Sequence, residues 1–126
     1  MIVAGFGFRQ ATTVESLTDA FLLASEGIEV TQLATVSAKA EAPAFVALSQ
    51  ALGLPIAPVD AARLATVETE TQSAYTLATH KTGSVAEAAA LLTAGPGGRL
   101  VKTRVVSGDG MATCALARPG HRGGTK

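Results

Sequence analysis

Apolar positions along the chain change their spacing several times, and each change marks an element. Residues 2–8 form a nearly continuous apolar run, Ile2-Val3-Ala4-Gly5-Phe6-Gly7-Phe8, closed by Arg9. This is the pattern of a buried strand that ends in a glycine turn and hands over to a helix. Thr12 and Glu15 then have capping-box spacing, and Val14, Leu17, Phe21 and Ala24 fall on one helical face until Gly27. Residues 30–36 are rich in β-branched side chains and predict a second strand. Pro43 suits the first turn of a helix reaching Leu52, with Phe45, Leu48 and Leu52 inward and Gly53 as its stop. Residues 54–57 predict a short third strand, and Asp60 caps a brief turn through Leu64. Residues 65–81 are polar and threonine-rich and show no clear period. Gly83-Ser84-Val85-Ala86-Glu87 opens an alanine-rich helix to about Thr93, with Ser84 and Glu87 as a second capping box. Strand patterns at residues 100–106 and 112–117 flank Ser107-Gly108-Asp109-Gly110, a hairpin signal.

This order of elements predicts an α/β protein. The expected architecture is three layers, α/β/α, around a mostly parallel mixed sheet of about five strands, the last two forming an antiparallel hairpin. A chain of 126 residues accommodates one such domain. The expected domain spans residues 1–117, with 118–126 as a disordered tail that lacks core-forming side chains. Apolar stretches are too short to span a bilayer, and the N-terminus lacks the basic region of a signal peptide. A cytoplasmic protein with no membrane partner is expected. One cysteine and two histidines provide no metal-ligand spacing, so no metal is expected. Cys114, among Ala112, Ala115 and Leu116, reads as a small core residue rather than a reactive thiol.

The formal net charge of zero conceals an asymmetry. Residues 1–96 carry Arg9, Lys39, Arg63 and Lys81 against nine acids, a net −5, whereas residues 97–126 carry six bases against Asp109 alone, a net +5. A basic tail balancing acidic helix faces accounts for Arg118, Arg122 and Lys126. Arg99, Lys102 and Arg104 lie in or beside a strand pattern and are candidates to face a polyanionic ligand. No motif or aromatic run for nucleic acid accompanies them.

In sheets of this kind ligands gather where strand C-terminal ends meet helix N-termini. Three stretches qualify: residues 5–13, 37–41 and 82–87. Gly5 and Gly7 either permit a tight turn or expose N–H groups to an anion, and Arg9 beside them suits a carboxylate. The third glycine of a dinucleotide fingerprint is replaced by Gln10, which argues against a nucleotide cofactor, and none is expected. Thr12, Lys39, Gly83, Ser84 and Lys102 complete the candidate ligand contacts. Lys39 and Glu41 are either a surface pair or, at a ligand edge, a carboxylate binder and a general base; Glu41 is the candidate catalytic residue. Glu87 reads as a helix cap, and Asp109 and His80 as weaker sources of chemistry.

Three segments together, Gly5-Phe6-Gly7-Phe8-Arg9, Leu33-Ala34-Thr35-Val36-Ser37-Ala38-Lys39-Ala40-Glu41 and Gly83-Ser84-Val85-Ala86-Glu87-Ala88-Ala89-Ala90-Leu91, resemble the CobE/CbiG C-terminal family of cobalamin (vitamin B12) biosynthesis. The resemblance runs from Ile2 to about Ala117. The chain opens at the family's domain, so the expectation is the stand-alone CobE type rather than the longer CbiG type. The resemblance implies a protein that binds a precorrin or corrin intermediate, a tetrapyrrole with many carboxylate arms, as carrier or accessory of the pathway, with that intermediate and other pathway enzymes as partners. The alternative it implies is a lactone-opening or deacylating hydrolase, with Glu41 activating water and Lys39 or Arg9 stabilising the oxyanion. Phe6, Phe8 and Tyr75 would either touch the ring or, for the two phenylalanines, belong to the core.

Overall fold

The computed structural model describes residues 1–64 and 85–120. The elements are β1 (Val3–Phe8), α1 (Val14–Ser25), β2 (Gln32–Val36), a 3-10 turn (Ser37–Lys39), α2 (Pro43–Leu52), β3 (Ile56–Val59), α3 (Ala61–Leu64), α4 (Val85–Ala94), β4 (Arg99–Val106) and β5 (Ala112–Arg118). One sheet has the order β3-β2-β1-β5-β4. β1 pairs in parallel with β2, and β2 with β3, while β5 is antiparallel to both β1 and β4. Only β5 therefore runs against the other four strands.

The alternation of side chains along β1 sorts the core into two layers. Ala4, Phe6 and Phe8 face a layer that includes Leu17, Phe21, Phe45 and Leu48 from α1 and α2. Val3 joins Val85, Ala88 and Ala89 of α4 and Leu64 of α3 on the opposite face. The three-layer α/β/α expectation holds. Phe6 lies at the centre of the first layer, stacked with Phe21 at 6.4 Å and edge-on to Phe45 at 5.3 Å. Cys114 is fully buried in the same layer, and burial pushes its thiol up out of the reactive range.

Local chemistry explains most boundaries. α2 begins at Pro43 and ends at Gly53, whose φ of 69° is the left-handed cap that glycine favours. Asp60 accepts from the Ala62 N–H at 2.8 Å and starts α3. The α1 cap sits one residue later than the sequence predicts. Thr13, in extended conformation, accepts from the Ser16 N–H, whereas Thr12 closes a turn onto the Arg9 carbonyl. β3 likewise starts two residues later, and β5 continues through Arg118, which pairs with Arg99 rather than belonging to a disordered tail.

The main revision concerns the first glycines. Gly5 and Gly7 are strand residues, not a turn. A Cβ on Gly5 would lie 2.1 Å from the Ala86 carbonyl oxygen and 2.6 Å from the Ala90 nitrogen. One on Gly7 would meet Thr113 Oγ1 at 3.0 Å and Val85 Cβ at 3.4 Å. With Val3, they form the face on which the small side chains of α4 settle. Glycine is needed there for close approach of helix to sheet.

Candidate functional site

β1 is flanked by β2 on one side and β5 on the other, and the connections after β1 and β3 lead to opposite halves of the sheet. The C-terminal end of β1 is thus the switch point, where an α/β sheet opens a crevice. The chain turns there at Arg9. The Arg9 N–H donates to the Met111 carbonyl at 3.0 Å, and the Arg9 carbonyl accepts from Thr12 at 3.0 Å. The backbone is pinned on both sides while the residue remains exposed.

Lys39 reaches the same point from the 3-10 turn that follows β2. Its Nζ donates to the Phe8 carbonyl and lies 5.2 Å from the Phe8 ring centroid. That ring is held in turn by Phe45, at 5.4 Å and 24°. Among the described residues no carboxylate pairs with Lys39. Its pKa is lowered from the ordinary value, first by burial and then by the positive charge of Arg9. A half-buried lysine beside an arginine, anchored to a carbonyl rather than an acid, is a cationic pair suited to an anion from outside.

The remaining candidates are distributed differently. Glu41 is exposed in the loop before α2 and makes no hydrogen bond among the described residues, so Lys39 and Glu41 are not an ion pair. Gly5 is buried beneath α4, and Gly7 is half-buried against Val85 and Thr113. Thr12 Oγ1 is shielded from solvent and has no hydrogen-bond partner among the described residues. Lys102 lies opposite Leu116, which itself pairs with Ala4. That is about 13 Å down the sheet from Phe8 and two strands across, so Lys102 is not gathered with Arg9 and Lys39. Phe6 and Phe8 are core residues, 0% and 8% exposed, and provide no open platform for a ring. Gly83, Ser84, Tyr75 and His80 fall outside the described residues. None of the described His, Cys, Asp and Glu residues group to hold a metal ion, and no described helix is long and apolar enough to cross a membrane.

Two features of this edge escape the sequence patterns. Asp109 in the β4–β5 loop accepts from Ser107 Oγ at 2.6 Å, from Ser16 Oγ of α1 and from the Met111 N–H at 3.0 Å. Asp19 of α1 accepts from the Gly108 N–H at 2.7 Å. The hairpin is clasped to α1 and, through Met111, to Arg9. Second, Glu87 has a tertiary partner. It is fully buried on α4 and accepts from the Arg104 N–H at 2.9 Å, where β4 slips register with β5.

Comparison with known proteins agrees with this architecture. Residues 2–117 match the family model described as Cobalamin synthesis G C-terminus. The crystal structure of CobE, a protein from the cobalamin (vitamin B12) biosynthetic pathway, superposes with a TM-score of 0.83 at 29% identity, covering 94% of this chain and 89% of that one. The cobalamin biosynthesis protein chiG from Agrobacterium tumefaciens str. C58 gives a TM-score of 0.74 at 34% identity, covering 96% of this chain and all of that one. A longer Sulfolobus solfataricus protein shares the fold, with a TM-score of 0.67 at 15% identity over 92% of this chain and 36% of that one. No curated protein matches the chain.

Proposed function

The chain belongs to the Cobalamin synthesis G C-terminus family, and from that premise we propose that it binds a precorrin or corrin intermediate by the carboxylates on its arms, as a carrier or accessory of the pathway. The observation that carries this reading is the convergence of Arg9 and Lys39 at the switch point, with Lys39 lacking a carboxylate partner among the described residues. Precorrin-type macrocycles display many acetate and propionate arms, so two fixed cations have ready counterparts. A charge-assisted contact to half-buried Lys39 contributes about 1.5 kcal/mol, and one to exposed Arg9 less. Recognition rests on the periphery of the macrocycle, because Phe6 and Phe8 are committed to the core. The hydrolase alternative depends on Glu41 holding water, and Glu41 has no described partner to orient it. Binding is therefore the reading the geometry favours.

The test is a visible-absorption titration with a carboxylate-armed corrin intermediate, with product analysis of the same samples. A spectral shift at about one equivalent with the ligand recovered unchanged is expected. Lys39→Gln should weaken binding about tenfold and Arg9→Gln less, both effects being larger at low ionic strength. Absence of any shift contradicts the proposal, and conversion of the ligand would transfer the role to an enzyme with Glu41 as the first residue to change.

A further inference from the structure

We infer that Lys39 is the reactive amine of this site, placed to add to an aldehyde or ketone carbonyl on a ligand whose carboxylate is held by Arg9. The inference rests on the reading that Arg9 and Lys39 form the ligand site, and it divides their roles. Arg9 presents a planar fork suited to a carboxylate. Lys39 differs in three respects. Its Nζ lies 5.2 Å from the Phe8 ring centroid, it donates to the Phe8 carbonyl, and no described carboxylate pairs with it. Burial and a neighbouring cation are the two conditions that turn a lysine into a nucleophile near neutral pH. Both act on Lys39, and both lower its pKa. By contrast, Lys102 lies on edge strand β4.

The chemistry balances without an external oxidant or reductant. The Lys39 nitrogen lone pair attacks the carbonyl carbon, and the carbonyl π pair takes up a proton to give a carbinolamine. Loss of that hydroxyl as water, with the second N–H proton released to solvent, forms the imine. Water reverses the sequence. The adduct is thus a transient tether that would orient an anionic carbonyl compound at the switch point.

The probe is 4-carboxybenzaldehyde, with benzaldehyde as its uncharged counterpart. The full chain is incubated with each in the presence of cyanoborohydride, which traps the imine, and the adducts are mapped by peptide mass spectrometry. Lys39 should be labelled about tenfold faster than Lys102 by the carboxylate-bearing aldehyde at neutral pH. Benzaldehyde should show a smaller preference, and Arg9→Gln should reduce the charged probe to that level. Lys39→Arg should abolish the fast adduct, because a guanidinium does not form the imine. Equal labelling of Lys39 and Lys102 in the unmodified chain overturns the inference, and this readout needs no variant to fold. A chain that binds the corrin polycarboxylate but labels uniformly retains the binding role and loses the amine. Selective Lys39 labelling without corrin binding retains the amine and removes the corrinoid reading.

Discussion

The Asp109 carboxylate has a pKa of about 2, against the ordinary 3.8, because the Ser107 hydroxyl, then the Ser16 hydroxyl, then the Met111 N–H all favour its charged form. A depressed carboxylate contributes stability that is complete above the unfolded value and disappears as pH falls through the folded one. The clasp between hairpin and α1 should therefore weaken between pH 3.8 and about 2. Asp109→Asn should be less stable than the parent above pH 4, with a gap that closes over that window. Chemical denaturation at stepped pH measures it; a gap independent of pH would show that the charge is irrelevant to the clasp. Lys39 shares that direction of pH dependence, but its contribution is unfavourable. Its lowered pKa means that folding is disfavoured by its proton, so its unfavourable contribution fades as pH rises toward the ordinary 10.5. Lys39→Met should therefore raise stability at neutral pH while weakening ligand binding, the usual trade at a functional site. Parallel thermal melts and corrin titrations would expose the trade.

At the scale of elements, α4 is held to β1 and to β4 through two buried positions. Gly5→Ala should destabilise the protein by about 3 kcal/mol, because its Cβ would meet α4 backbone rather than a movable side chain. A urea unfolding midpoint close to that of the parent would show that α4 does not sit on β1 so closely. Glu87→Leu should cost about 2 kcal/mol by leaving the Arg104 N–H without an acceptor, and Glu87→Gln much less. Equal losses in the two variants would contradict the acceptor role. These positions also show where sequence reading fails. Period and caps gave α2 from Pro43 to Leu52 in full, because proline, glycine and apolar spacing are local signals. They misread Gly5 and Gly7 as a turn, since a glycine required by an approaching helix looks the same as one required by a positive φ. They also gave no sign that the Glu87 carboxylate meets the β4 bulge, whose Arg104 lies 17 residues away.

Across the whole molecule, the strand order β3-β2-β1-β5-β4 leaves the C-terminal end of β1 as the junction between two halves of the sheet. The sequence yielded Arg9 and Lys39 because each follows a strand, and the fold joins them because β1 and β2 are parallel neighbours. It suggested Lys102 as a cation within a strand pattern, and register places that residue elsewhere. The basic asymmetry of residues 97–126 is accordingly in part a property of edge strand β4, where charge discourages pairing with another sheet. The account centres on cations reading carboxylates at the switch point. The most direct measurement compares the dissociation constant for a corrin with carboxylate arms with that for one whose arms are amides, in the parent chain and in Arg9→Gln. The account predicts that the carboxylate corrin binds at least tenfold more tightly and that Arg9→Gln reduces the difference. Equal affinity for the two corrins, unchanged in Arg9→Gln, would contradict it.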